Sequence, residues 1–364
     1  MIHFVVPEAH NRLIREYLEW WGRDVAPRFE IVHTETLPGR TRFARGTYVL
    51  AALEQYSSGM AALVASLHRQ LAAHDGVRFL NHPADALRRF ELLDRLHRGG
   101  RNVFRAVRVT DEWQALRFPL FVRDSSTHDG ALSPLLHAPV DVEREIGRAL
   151  VQGRSLGNLM VVEFCDTSDA NGYYRKYSAF VIGRHVVPRY LSVSREWMLK
   201  FQGSEFTTRM AQEERDYVMT NPHEAELRDV FGLAGVDYGR IDYAMKDGRL
   251  QTWEINLNPT IGRGLRRSSG RVPPEVDAIR TPAKEHFYRC FREAWEDVDL
   301  TSNGTAPIEI NVDPAMARAA VATEPTDGWL STLRRVLRPV KPMIAPIAAA
   351  ALPGIARTVL RRRR

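Results

Sequence analysis

Apolar positions along the chain recur at two spacings, and the two alternate through most of its length. Residues 2–6 are a short apolar run, read as a strand, and 11–21 carry Leu13, Ile14, Tyr17, Leu18 and Trp21 at helical spacing. Residues 47–53 and 77–80 read as further strands, with a helix over 58–72 between them that turns Met60, Leu63, Leu67 and Leu71 inward. Strands alternating with helices predict an α/β unit of roughly 85 residues at the N-terminus. After Asn81-His82-Pro83, a helix with Leu87, Phe90, Leu93 and Leu96 inward ends at Gly99-Gly100. A strand over 119–122, a helix over 140–152 and the strongly apolar strand NLMVVEF over 158–164 follow. Residues 176–192 hold two apolar runs about Gly183-Arg184, a hairpin signal. Helices over 210–219 and 224–235 lead into two more strands, 238–245 and 250–256, joined at Lys246-Asp247-Gly248. A closing helix over 281–298 buries Phe287, Cys290, Phe291 and Trp295.

Composition narrows the class. A chain of 364 residues is long enough for two or three domains, and its 26% charged and 44% apolar residues are those of a folded protein. Cys165 and Cys290 make neither a disulfide framework nor a metal-ligand spacing, so they read as buried thiols of a reducing, cytoplasmic compartment. The N-terminus has no signal-type core, and no apolar run reaches the roughly 18 residues of a spanning helix.

The net charge of +7 is unevenly placed: 331–364 contain nine Lys and Arg and no acid, which leaves 1–330 at −2. The body therefore lacks the charge of a nucleic-acid binder, and no sequence-specific nucleic-acid partner is expected. Residues 301–330, rich in Ser, Thr, Pro and Ala, read as a linker or an arm laid over the body. For the basic tail, 331–364, two readings stand: docking on an anionic membrane surface, or a plain basic extension.

Candidate chemistry concentrates in VDYGRIDYAMKDGRLQTWEINLNPTIGRG, residues 236–264. Asp-Gly supplies the positive φ of a tight hairpin. Glu254 and Asn256 are two apart, so both leave the second strand from one face, and a turn at 246–249 brings Asp242 near Glu254 across the ladder. Two carboxylates and an amide oxygen make a hard-oxygen site suited to Mg²⁺. Arg240 shares the face of Asp242, in place to meet a phosphate or a developing oxyanion. The competing reading is a surface hairpin with charged outer residues.

The combination Arg-x-Asp, turn, Trp-Glu-Ile-Asn-x-Asn-Pro resembles the metal-binding hairpin of the ATP-grasp superfamily, which includes D-alanine–D-alanine ligase, glutathione synthetase and the ribosomal-protein glutamate ligases. Pro259-Thr260 stands where many members have Pro-Gly. The resemblance implies an N-terminal α/β domain (1–85) and an ATP-grasp domain (86–300), whose two α+β subdomains, a lid near 100–175 and a metal-binding part near 176–300, clasp ATP. It implies ATP and one or two Mg²⁺ ions, replaceable by Mn²⁺, with Asp242, Glu254 and Asn256 as metal ligands and Arg240 at the reacting phosphate.

It further places Arg89 (or Arg88) and Arg123 on phosphates, Glu163 on the ribose, Cys165 in the adenine-holding linker, and Lys176 (or Arg175) facing ATP. Arg123 stands where the family usually has Lys. Asn258 and Arg263, with Arg266 and Arg267, would meet the acceptor substrate, and His128 lies in the loop that closes over the phosphates. The implied activity joins a carboxylate, of a small molecule or a peptide, to an amine through an acyl-phosphate, releasing ADP and phosphate. A small-molecule kinase on the same fold, and a non-catalytic nucleotide-binding module anchored by its tail, are the alternatives. The oligomeric state stays open.

Overall fold

A computed structural model of the chain describes residues 1–127, 130–199, 205–262, 272–300 and 306–322. Its first strands, β1 (Ile2–Val6), β2 (Phe29–His33), β3 (Arg42–Phe43), β4 (Gly46–Leu50) and β5 (Val77–Leu80), alternate with α1 (Arg12–Trp20) and α2 (Ser58–Leu71). Four of them form a parallel sheet in the order β2-β1-β4-β5, with Ile2 opposite both Phe29 and Thr47. The inner strands β1 and β4 are buried at every position, so IHFVV and GTYVL read as runs rather than alternations. Strand β2 was not expected: Glu30 interrupts its apolar pattern, and of its five residues only Val32 is fully buried.

The chain then enters α3 (Arg89–Arg98), β6 (Ala106–Arg108), β7 (Leu120–Asp124), α4 (Pro139–Val151) and β8 (Leu159–Glu163). These belong to a compact unit containing Arg88–Asp166. Its sheet is antiparallel in the order β6-β8-β7, with Val161 opposite both Val107 and Val122. Strand β8 is central and buried throughout, the physical content of its apolar sequence. Trp113, Leu120, Val122, Ile146 and Val161 anchor this unit's own core.

From Thr167 the chain rejoins the unit of Met1–Leu87, which continues to Ala322. Strands β9 (Tyr174–Ile182) and β10 (His185–Ser194) make the expected hairpin, helices α5 (Thr208–Thr220) and α6 (Glu224–Ala234) follow, and β11 (Tyr238–Lys246) and β12 (Arg249–Asn256) complete an antiparallel sheet ordered β10-β9-β11-β12. Asp247 and Gly248 turn the second hairpin with φ of 50° and 71°, the two positive angles of a type I′ turn. Helix α7 (Pro274–Val298) starts well before residue 281, where the sequence pattern placed it, and runs through Pro282. Packing explains the extension: Val276 and Ile279 lie against Ala211 and Phe206, and Arg280 donates to both carboxylate oxygens of Glu214 on α5.

Two features knit this unit together. Phe4, Tyr238, Trp295, Phe291 and Phe180 form a chain of ring contacts from the parallel sheet through α7 to the antiparallel sheet. Buried Asn81 donates from Nδ2 to the carbonyls of Leu50 (3.0 Å) and Tyr238 (2.8 Å) and accepts at Oδ1 from the N–H groups of Asp237 (2.9 Å) and Tyr238 (3.0 Å). Within the 301–330 stretch, β13 (Ile308–Glu309) pairs with β3, and α8 (Pro314–Val321), capped by Asp313, packs on α2. No helix among the described residues is long and apolar enough to cross a membrane.

Candidate functional site

The site is built on strand register. Arg240 lies opposite Asn256 and Asp242 opposite Glu254, so all four side chains leave one face of the sheet. Trp253 is the extra residue of a β-bulge at this point, and beyond it the ladder resumes with Tyr243 opposite Thr252. On the other flank of β11, Asp242 faces Ser178 of β9, and Lys176 lies two residues further along the same face.

Asp242 is 4% exposed. Its Oδ1 accepts from Ser178 Oγ (3.0 Å) and Arg240 Nε (3.1 Å), and Lys176 Nζ lies 3.4 Å from Oδ2. Lys176 also donates to the carbonyl of Leu199 at 3.3 Å, and Arg240 Nη1 to that of Thr260 at 3.1 Å. Burial is the largest effect on both cations and lowers each pKa, but Asp242, Tyr190 and Glu254 together hold each above its ordinary value. Arg175 is occupied elsewhere, bonded to Asp169 (2.7 Å) and Glu213 (2.6 Å), so Lys176 is the cation that meets Asp242.

Asn256 is buried, and its Oδ1 accepts from the N–H of Asn258 at 2.9 Å. Asn258 donates in turn to the carbonyl of His10 (3.0 Å), and the carbonyl of Leu257 accepts from Ala52 (3.2 Å), so the exit of β12 is tied to loops of the parallel sheet. Arg189 holds the next segment, donating to the carbonyl of Ile261 at 2.9 Å with its guanidinium 4.4 Å from the Phe287 ring.

Two carboxylates and an amide on one face, opposed by one ammonium and one guanidinium cation, suit a hard divalent cation bound with phosphate. The donor set fits Mg²⁺ by its oxygen chemistry, with two carboxylates and one amide; among the described residues no group of three His, Cys, Asp or Glu side chains gathers to hold a metal.

In Arg88–Asp166 the expected nucleotide residues have other partners. Arg89 is buried, and its Nη1 grips the carbonyls of Asp124 (3.2 Å), Ser125 (3.2 Å) and Thr127, fixing the turn after β7. Ser125 and Ser126 bond inside that turn to the Asn158 carbonyl (3.0 Å) and Asp124 (2.7 Å). Glu163, 2% exposed, accepts at Oε1 from the Arg117 N–H (2.9 Å) and at Oε2 from the Arg105 N–H (3.0 Å) and Arg117 Nη2 (3.1 Å). Burial raises its pKa, but these donors together hold it below the usual value. Arg123 lies on β7 opposite Met160, and Cys165 is buried and outside any disulfide. His128 and Arg263 lie outside the described residues, as do Arg266, Arg267 and the basic tail.

Sequence reasoning missed Ser178, a small polar residue inside an apolar strand whose partner is 64 positions away. The buried hydroxyl among KYSAFVI was the available signal.

No family model matches the chain, and no curated protein does. Among solved structures, the chain is similar to D-alanine–D-alanine ligase of Bacillus anthracis complexed with ATP, at 12% identity over 82% of this chain and 99% of that one, with a TM-score of 0.44. It is also similar to the ATP-grasp ligase PsnB complexed with a minimal precursor, at 13% identity over 79% and 99% of the two chains and a TM-score of 0.45. L-amino acid ligase of Bacillus licheniformis aligns at 12% identity over 85% and 74%, with a TM-score of 0.40.

Proposed function

We propose that the chain is an ATP- and Mg²⁺-dependent ligase that joins a carboxylate to an amine. The observation that carries this reading is the register that sets Arg240 beside Asn256 and Asp242 beside Glu254, with Lys176 on the same carboxylate. Asp242, Glu254 and Asn256 would hold Mg²⁺, with Mn²⁺ as a substitute. When bound, the ion neutralises charge on the transferring phosphoryl group. Arg240 and Lys176 supply fixed positive charge whose own counter-charge is Asp242, so they meet phosphate without isolated buried cations. The Thr260 carbonyl on Arg240 and the His10 carbonyl on Asn258 hold the strand exit still, next to where an acceptor would be met. Within Arg88–Asp166, Arg89 and Glu163 act by holding backbone in place. The substrate carboxylate attacks the γ-phosphorus, ADP leaves, and the amine displaces phosphate from the acyl-phosphate. Exclusion of water protects that intermediate.

The test is Mg-ATP turnover with pooled amino acids and small amines, following ADP, free phosphate and phosphorylated species together. Substrate-dependent phosphate release is expected, reduced about a hundredfold or more in Asp242→Asn and Glu254→Gln, the scale of several kcal/mol of lost charge stabilisation. Turnover untouched by either substitution would sink the metal assignment. ADP with a phosphorylated product and no free phosphate would make the protein a kinase.

A further inference from the structure

Ser178 is 0% exposed and lies in a strand whose next four residues, Ala179–Ile182, are apolar and buried. Packing alone does not require its hydroxyl, since alanine leaves almost the same shape. Among the described residues the hydroxyl has one acceptor, Asp242 Oδ1, at 3.0 Å. It adds a donor there without adding charge, where Arg240 and Lys176 already supply two positive groups.

The donors divide unequally between the two carboxylate oxygens. Oδ1 takes Ser178 and Arg240 Nε, both held within a β-ladder, at 3.0 and 3.1 Å. Among the described residues Oδ2 has only Lys176, at 3.4 Å, on a flexible stem with a second acceptor at the Leu199 carbonyl. A carboxylate turns easily about its last torsion. Two donors on one oxygen stop that rotation and aim the other. We infer that Ser178 is a positioning residue that presents Asp242 Oδ2 to the divalent cation. The inference rests on the reading of Asp242 as a metal ligand.

Ser178 is itself held from the opposite face of the sheet. Tyr217 donates to its carbonyl at 3.0 Å, and Tyr243 donates to the Tyr217 hydroxyl at 3.1 Å. His223 Nδ1, at the start of α6, lies 2.9 Å from the Tyr243 hydroxyl, which as a donor to Tyr217 must accept from it. Tyr177 packs on both tyrosine rings with centroids 5.0 and 5.3 Å away. The peptide that carries the Ser178 hydroxyl is thereby fixed to two helices.

The test is Mn²⁺ binding by the full chain with a non-hydrolysable ATP analogue, read from the electron paramagnetic resonance of free Mn²⁺ and run beside thermal melts. Partners that orient a metal ligand are worth about 10- to 100-fold in affinity. Ser178→Ala should therefore weaken Mn²⁺ about tenfold at a nearly parental melting temperature, and Ser178→Thr, which keeps the hydroxyl, should restore most of the loss. If Ser178→Thr does not fold, Tyr217→Phe decides in its place. A weakening smaller than that of Ser178→Ala supports positioning, and parental affinity overturns it. Parental affinity in Ser178→Ala while Asp242→Asn loses Mn²⁺ overturns the role of Ser178 and leaves the metal assignment standing. Parental affinity in both overturns the metal assignment and this inference with it. An affinity loss that only follows a lowered melting temperature, and that threonine does not repair, also overturns positioning.

Discussion

Glu163 shows how far one side chain's role depends on partners the sequence does not mark. Its two oxygens take three donors from Arg105 and Arg117, which close the start of β6 and the approach to β7 onto the end of β8. Those donors depress its pKa, so the unfolded chain binds a proton here at higher pH than the folded one. The stability they contribute is complete above the unfolded carboxyl value of about 4.3 and is lost as pH falls through the lower folded value. Glu163→Gln should cost about 1–3 kcal/mol at neutral pH and flatten the acid limb of the stability curve below about pH 4.5. Denaturant titrations across that range measure both effects, and an unchanged acid limb would show that the carboxylate is not the titrating group. The hairpin acids were legible because strand period and an Asp-Gly turn place them on one face without any distant information. Ser178, Asn81 and Arg117 were not, since each acts through a residue or peptide dozens of positions away.

At the scale of elements, the longer apolar strands and most of the helices were read from their pattern, while some of the shortest or most interrupted elements were not. Strand β6 has three residues and β2 is interrupted by Glu30, so neither carries enough pattern to exceed a loop. The first turns of α7 were missed because Pro282 resembles a helix start, and only contact with α5 reveals the turns before it. Helix α8 depends on the absence of a side chain. Gly59 of α2 approaches α8 so closely that a Cβ there would stand 2.1 Å from the Ala319 carbonyl. Backbone cannot yield by that much without separation of the two helices. Gly59→Ala, otherwise favourable in a helix by up to about 1 kcal/mol, should release α8 and expose 306–322 to limited proteolysis with little change in the remaining core. Resistance equal to that of the parent would mean that the helices re-pack, and that β13 alone holds the arm.

For the whole molecule, the sequence order of elements conceals the order of contacts. Residues 1–85 read as a domain of their own, yet they share one compact unit with 167–322, while Arg88–Asp166 forms another inside that span. Periodicity reports which face of an element is buried but not what buries it, so this discontinuity had no local signature. The set around Asp242, namely Lys176, Ser178, Arg240, Glu254 and Asn256, belongs wholly to the discontinuous unit. Arg88–Asp166 is continuous in sequence. Its core runs from Trp113 through Val122 and Ile146 to Val161, its sheet closes within itself, and the Arg89 and Glu163 clusters find their partners inside it. Small domains of about 60 residues or more can fold alone, though they bury only about 60% of the surface their unfolded chains expose. A fragment of residues 88–166 should therefore melt cooperatively, with slow amide exchange along β7 and β8, and should lose that transition on Glu163→Gln sooner than the full chain does. A fragment with no cooperative transition would show that contacts outside Arg88–Asp166 supply its stability.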